Sequence, residues 1–399
     1  MTDRLPNTDG AVCDAAVRVD RALALMDRQI DWLTRLTPVN IDEIWDGFQA
    51  SAFRAMPDSE FGDGLEQDAP GLRSELFELP VREIENDLVQ ALLLEKQREL
   101  DRQIELVRMR GKDGFILASL DLFGSVSERL LETALDLLET VPILPADEED
   151  VGVEEVCHAA REAVSAYRQS SSEFKCEVNV DPTPGTSMYV AMGNFHVAYD
   201  YRTSRHRVGP LIAHEIGTHA ITRHNGQNQP LHTLAGGLSD YDVLQEGLAV
   251  LGEYLAGYLP ADRLRLLAAR VVAAHMAVEE KKGPEIYDCL VEEHGIRSKD
   301  AFDTAVRAKR GGGLTKDALY LKGLAELLAY LHHDGEFDIL FLGKFALKQL
   351  PSLKKLMHEG VLRQPELLPS HCIDDGAIQR LAKARTLPLQ ALYQEVPEK

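Results

Sequence analysis

Apolar residues recur at helical spacing through most of this chain. From Ala15 to Leu36 they return every three to four residues, the one-faced pattern of an amphipathic helix. Val81–Arg110 reads as a long helix of charges and leucines, and Phe115–Val141 as another. The stretches 208–222, 242–258, 261–278, 319–332 and 339–350 carry the same period. A different pattern intervenes in the middle. Phe174–Val180, Ser187–Met192 and Asn194–Tyr199 read as strands, the first two separated by the turn-forming Asp181-Pro182-Thr183-Pro184-Gly185. The expected fold class is therefore α+β, mostly α, with a small sheet beside the 208–222 helix and a helical N-terminal region. Residues 1–14 read as a flexible N-terminus, 15–150 as the helical region and 151–399 as a second unit. Pro142–Gly152 is the boundary, its acidic run Asp147-Glu148-Glu149-Asp150 being the charge of a solvated linker. Asp58–Gly71, rich in Gly, Pro and acids, predicts a surface loop or lid.

Composition narrows the partners. At 399 residues and 45% hydrophobic, the chain can bury a sizeable core. Its 43 basic against 65 acidic residues, a net charge of −22, argue against a nucleic-acid groove or an anionic membrane surface. Cys13, Cys157, Cys176, Cys289 and Cys372 are odd in number and scattered, with no Cys-x-x-Cys pair, which fits a reducing cytoplasm. Met1–Gly10 is polar and lacks the apolar segment of a signal peptide. No run approaches the roughly 18 apolar residues of a membrane helix, so no membrane insertion is expected.

One segment carries chemistry. His214-Glu215-Ile216-Gly217-Thr218-His219 brackets a glutamate with two imidazoles, and Glu246 follows 27 residues after His219. Three protein ligands, an open position and an adjacent general base are what a catalytic zinc needs. The spacing is unusual, because the familiar H-E-x-x-H places its histidines at i and i+4. Five residues of α-helix rotate by about 500°, leaving the side chains roughly 140° apart. A π turn, bonded i→i+5, returns both imidazoles to one face. A π bulge is therefore predicted at about 214–219, with Gly217 letting the backbone yield. The apolar 208–213 run would open this helix with Pro210 near its first turn. Asn194–Tyr199 is expected as an edge strand over it, able to hold an extended substrate by strand addition. Glu246 would sit early in a helix capped by Asp240 or Asp242. Glu253, two turns on, is either an acceptor for a ligand histidine or a solvated surface group.

These residues resemble a known family. His214–His219 with Gln245-Glu246-Gly247-Leu248-Ala249 is similar to the bacterial QEGLA-motif proteins, often labelled flavohaemoglobin expression-modulating. The same pattern resembles the microtubule-associated tyrosine carboxypeptidases, which remove a C-terminal tyrosine from α-tubulin. The likeness extends to Pro38-Val39-Asn40 ahead of a helix ending near Phe48, and to Arg310-Gly311-Gly312, Lys316-Asp317 and Tyr320-Leu321. It implies a zincin-like metallopeptidase core within 151–399. Its Zn2+ would be held by His214, His219 and Glu246, with Glu215 as the base that activates water.

A carboxypeptidase must also neutralise its substrate's terminal carboxylate, which a bidentate Arg does best. Arg223, Arg310, Lys316 and Tyr320 are the candidate substrate-binding residues, the last three because the family pattern coincides there. Arg307 and Lys309 read as a solvated helix end. Tyr199, Tyr241 and Tyr320 are candidates to hold an oxyanion, and His232 lies in a loop that could line the cleft. A two-His, one-carboxylate site is shared with Fe(II) oxygenases, but the neighbouring glutamate base favours zinc. The expected activity is a cytoplasmic zinc metallopeptidase, a carboxypeptidase acting on a peptide or protein C-terminus. The alternatives are an endopeptidase or aminopeptidase on the same site, or a non-catalytic zinc-binding regulator.

Overall fold

The computed structural model describes residues 12–65, 68–145, 147–182 and 188–394. Helices dominate, and two small sheets sit among them. The expected turn at 181–185 and the N-terminus 1–14 fall largely outside the described residues.

The N-terminal helices follow their apolar periodicity, and polar residues set their ends. Asp14–Ile30 stops where Asp31 turns left-handed (φ 37°), and a short turn Trp32–Arg35 follows. Asp87–Arg108 begins at Asn86, whose side chain accepts from the amides of Leu88 and Val89. The helix expected over 115–141 is two helices, Phe115–Phe123 and Glu128–Thr140. Gly124, at φ 78°, ends the first, and the Ser127 hydroxyl caps the second through the Leu130 amide. A further difference lies at 339–350. Only short 3₁₀ turns, Asp338–Phe341 and Leu347–Gln349, occupy it before the helix Leu350–His358. The backbone at Lys344 is drawn away into bonds with Leu234 and Leu238.

The main sheet has the order β2 (Val178–Asp181), β4 (Asn194–Ala198), β3 (Tyr189–Ala191). β2 runs parallel to β4 and β3 antiparallel to it. The strand expected at an edge is thus the central one, and β3 takes an edge position. Local alternation reveals that a segment is a strand, whereas its neighbours come from long-range pairing. β1 (Val151–Gly152) and β5 (Arg202–Thr203) form a separate antiparallel pair.

One contiguous set of buried apolar side chains runs from Ala16 to Leu392. Buried acids tie the N-terminal helices to the loop that precedes Glu246. The Asp20 carboxylate accepts from the amides of His232 and Thr233 and from the Thr233 hydroxyl. Glu99, itself bonded to the buried Lys96 at 2.8 Å, accepts from the Asp240 amide at 2.7 Å. Among the described residues no helix is long and apolar enough to cross a membrane.

Candidate active site

The segment that carries the histidines is helical on both sides of an irregular turn. Arg205–His214 is α-helical, Glu215–Ala220 forms a π turn, and Ile221–Gln227 resumes the α-helix. Pro210 lies inside the first helix rather than in its opening turn. The widened turn does what the i, i+5 spacing requires. The imidazole centroids of His214 and His219 stand 5.1 Å apart. One donor atom from each of His214, Glu215 and His219 falls within 4.8 Å of the others. The Thr218 hydroxyl bonds the Ala213 carbonyl five residues back at 3.1 Å, occupying a group the irregular turn would otherwise strand. Gly217 leaves room for another chain segment: a Cβ there would lie 3.2 Å from the His371 ring.

Glu246 arrives on the helix Tyr241–Leu255. Asp240 occupies the cap position but makes no cap bond; its carboxylate pairs with Lys348 at 2.6 Å. This helix crosses Leu319–His332 with the backbones in contact. A Cβ on Gly247 would lie 2.4 Å from the Gly323 carbonyl carbon, and one on Gly323 would lie 1.8 Å from the Val243 oxygen. The two glycines therefore set how closely Lys316 and Tyr320 approach Glu246. Lys316 Nζ lies 3.5 Å from Glu246 Oε1 and 3.4 Å from Asp242 Oδ1. The other oxygen, Oε2, is 3.9 Å from His219 Nε2 and is buried with no hydrogen-bond partner among the described residues. Gln245 accepts from the Thr222 hydroxyl at 3.1 Å, which joins this helix to the one bearing His219.

Glu253 is fully buried, which settles the choice left open by the sequence. Its Oε1 lies 2.9 Å from His214 Nδ1, and Arg207 and Arg263 hold the carboxylate at 2.8 and 3.1 Å. The ionised Glu253 is the natural acceptor for Nδ1–H, which in the neutral ring leaves the Nε2 lone pair for the site. Burial opposes charge on this ring, but the same contact together with Glu215 outweighs it and raises the proton affinity of His214.

Burial and neighbouring charge set three different proton affinities. Burial raises the Glu215 carboxyl to about 7. Burial lowers His219 to about 3, keeping that imidazole neutral. Burial also opposes the charge on Glu246, but Lys316 and the two histidines outweigh it and hold the carboxylate at about 2. Two imidazoles and an ionised carboxylate with a bare buried oxygen are a donor set that fits a divalent metal. Beside them stands a carboxyl poised to take and return a proton near neutrality.

The remaining candidates separate by what already occupies them. Lys316 is committed to Asp242 and Glu246, and Tyr320 packs against Glu246. Arg307 is not a free helix-end cation but a half-buried one: Asp317 grips it with both oxygens. Arg310 and Arg270 form no ion pair among the described residues, and the Nε of each is buried without an acceptor. Burial lowers both guanidiniums to about 10. Arg270 lies over the Tyr320 ring, 4.9 Å from its centroid. Arg223 is likewise buried without an acidic partner among the described residues, with one nitrogen 3.5 Å from the Ala235 carbonyl. Lys344 is pushed down to about 8 by burial and by Arg223. Tyr199 is exposed. Arg270, Lys344 and His371 were not legible in the sequence, because no local motif surrounds them.

A family model described as microtubule-associated tyrosine carboxypeptidase matches residues 46–387. The microtubule-associated tyrosine carboxypeptidase 1 of Mus musculus is 32% identical over 161 residues, 36% of this chain and 32% of that protein. Its Rattus norvegicus counterpart is 31% identical over 165 residues, covering 38% and 33%. The aligned stretches thus span about a third of the length of these relatives.

Proposed function

We propose, for a chain that belongs to the microtubule-associated tyrosine carboxypeptidase family, that it is a zinc-dependent carboxypeptidase removing a C-terminal residue from a peptide or protein. The observation that carries this reading is the gathering of donor atoms from His214, Glu215 and His219 within 4.8 Å of one another, with the buried Oε2 of Glu246 lying 3.9 Å from His219 Nε2. Zinc held by His214, His219 and Glu246 would supply Lewis acidity and lower the pKa of a bound water to about 7. Glu215 takes a proton from the attacking water and returns it to the leaving amine, a task for which a carboxyl at about 7 is suited. Lys316 keeps Glu246 ionised, and Glu253 fixes the orientation and tautomer of His214. Tyr320, against Glu246, is the phenol best placed to donate to a developing oxyanion.

Exopeptidase selectivity rests on the unpaired cations. A buried guanidinium without an anion is costly, and a substrate's terminal carboxylate relieves that cost. Arg310 and Arg270, on the Tyr320 side of the site, are assigned this role, with Arg223 and Lys344 marking a second cationic wall. The relatives' names make tyrosine the first terminal residue to try.

The test is mass spectrometry of a diverse peptide library incubated with zinc-loaded protein beside Glu215→Gln. Loss of single C-terminal residues, absent in the variant, is the expected result. Internal or N-terminal cuts would keep the hydrolytic site and overturn the exopeptidase assignment. No cleavage by metal-replete protein, of peptides or of intact proteins ending in tyrosine, would overturn the catalytic reading.

A further inference from the structure

The chain contains a second π turn, and it too gathers metal-binding donors. Cys289–Glu293 continues the short helix Gly283–Asp288 in π geometry. The Cys289 thiol, the Glu293 carboxylate and the His294 imidazole offer one donor atom each, all within 4.8 Å of one another. The spacing repeats that of the first site, since Cys289 and His294 stand at i and i+5, the separation a π turn brings onto one face. Other histidine–glutamate neighbours lack this convergence: His158 with Glu162 and His275 with Glu279 are two-donor pairs at i, i+4.

The backbone around these donors is held from outside. Arg265 bonds the carbonyl of His294 and, at 2.8 Å, that of Val141, anchoring the turn to the end of the Glu128–Thr140 helix. The Gly295 amide closes on the Val291 carbonyl at 3.1 Å and the Ile296 amide on Leu290 at 2.9 Å. Cys289 and His294 are half-buried, whereas Glu293 is exposed, so the cluster has a solid base and an open side.

We propose that Cys289, Glu293 and His294 form a second metal site, separate from the His214/His219/Glu246 set, that takes a thiophilic divalent ion such as Zn2+. A thiolate, an imidazole and a carboxylate favour zinc or cobalt over magnesium or calcium. Three protein ligands leave the fourth position to water on the open side. Binding displaces the Cys289 proton to solvent and forms a sulfur–metal bond, with no redox change. The turn leads directly into the helix Ser298–Lys309, at whose end Arg310 stands, so an ion here would brace the segment that presents a substrate-binding candidate.

Cobalt(II) titration of the full, metal-stripped chain tests this directly. The first site contains no sulfur, so a near-ultraviolet thiolate-to-cobalt charge-transfer band can arise only from a cysteine. The expected result is such a band, saturating with one equivalent of cobalt beyond that taken by the first site. Cys289→Ser should abolish the band and that one equivalent while leaving the equivalent held by the first site unchanged. His294→Ala, which keeps the thiol, should shift half-saturation of the band to more than about tenfold higher cobalt, since even outer-shell changes cost that much. No band in the folded wild-type chain at saturating cobalt would overturn the proposal, as would a band that survives in Cys289→Ser.

Discussion

Two carboxylates share one buried site and are held at opposite ends of the proton scale. Glu215 comes on the π turn 215–220 and Glu246 on the helix 241–255. Burial raises Glu215 to about 7 because its surroundings supply too little positive charge to offset it. Glu246 meets the same burial, yet Lys316 and the histidines hold it at about 2. The difference lies less in depth than in which element crosses nearby. The π turn delivers a carboxyl into a dry region, and the glycine-to-glycine helix crossing delivers the other against a cation. A carboxyl that titrates near neutrality and a carboxylate that stays ionised are thereby built from one residue type.

The strongest way to break this comparison is to neutralise each carboxylate in turn. On the proposed reading, Glu246→Gln should lower bound metal by one equivalent and abolish turnover, because it removes the one carboxylate assigned as a ligand. Glu215→Gln should keep that equivalent while turnover falls about 10²- to 10⁴-fold, the usual contribution of a general base. Metal analysis and peptide cleavage on the same preparations separate the two. Equal metal loss in both variants would show that the carboxylates do not divide the work.

Glu253 sharpens the comparison from behind the site. Its anionic Oε1, 2.9 Å from His214 Nδ1, fixes which nitrogen faces inward. Glu253→Gln should weaken metal binding about 10- to 100-fold. Competition with a chelator measures this, and unchanged affinity would show that Arg207 and Arg263, not His214, are what Glu253 serves.

The division between legible and illegible features follows chain distance. The pairing of the i, i+5 histidines could be read because their motif is local and a π turn is the simple way to use that spacing. Glu246, 27 residues on, was singled out with the pattern of Gln245–Ala249. Glu253 could be placed on the face of Glu246 by its seven-residue separation, but periodicity does not report burial, so its role stayed open. The break in 115–141 was signalled by Gly124 and Ser127, residues that end and begin helices. Arg270, Lys344 and His371 had no such signal, since the packing of distant segments alone brings them in. The place of β4 in its sheet was hidden for the same reason.

The glycines of the two regions give the next test. In helix 319–332, Gly323→Ala would set a methyl 1.8 Å from the Val243 oxygen, backbone against backbone, with no side chain able to turn aside. Alanine's better helix propensity recovers only about 1 kcal/mol. The crossing must open, and the expected cost is about 1–3 kcal/mol, read as a lower midpoint in denaturant. Lys316 and Tyr320 would move with the helix away from Glu246, so metal affinity should fall as well. A stability loss with intact metal binding would show that the crossing does not position the site.

Gly217→Ala is the matching change in the π turn, and it should do least. Its methyl would meet the His371 ring edge at 3.2 Å, a contact that a shift of a few tenths of an ångström relieves. The ring is a side chain, but it is buried and both of its nitrogens lack partners among the described residues, so no hydrogen bond seen there resists the shift. Alanine also gains in helical geometry, which offsets much of the strain. The expected stability change is within about 1 kcal/mol, with metal binding retained, and chemical denaturation of the variant measures it. A cost as large as that of Gly323→Ala would mean that His371 is fixed in place and that the π turn depends on it. The π turn would then be clamped from outside as firmly as the helix crossing is, and Glu215 would owe its position to a residue more than 150 positions away.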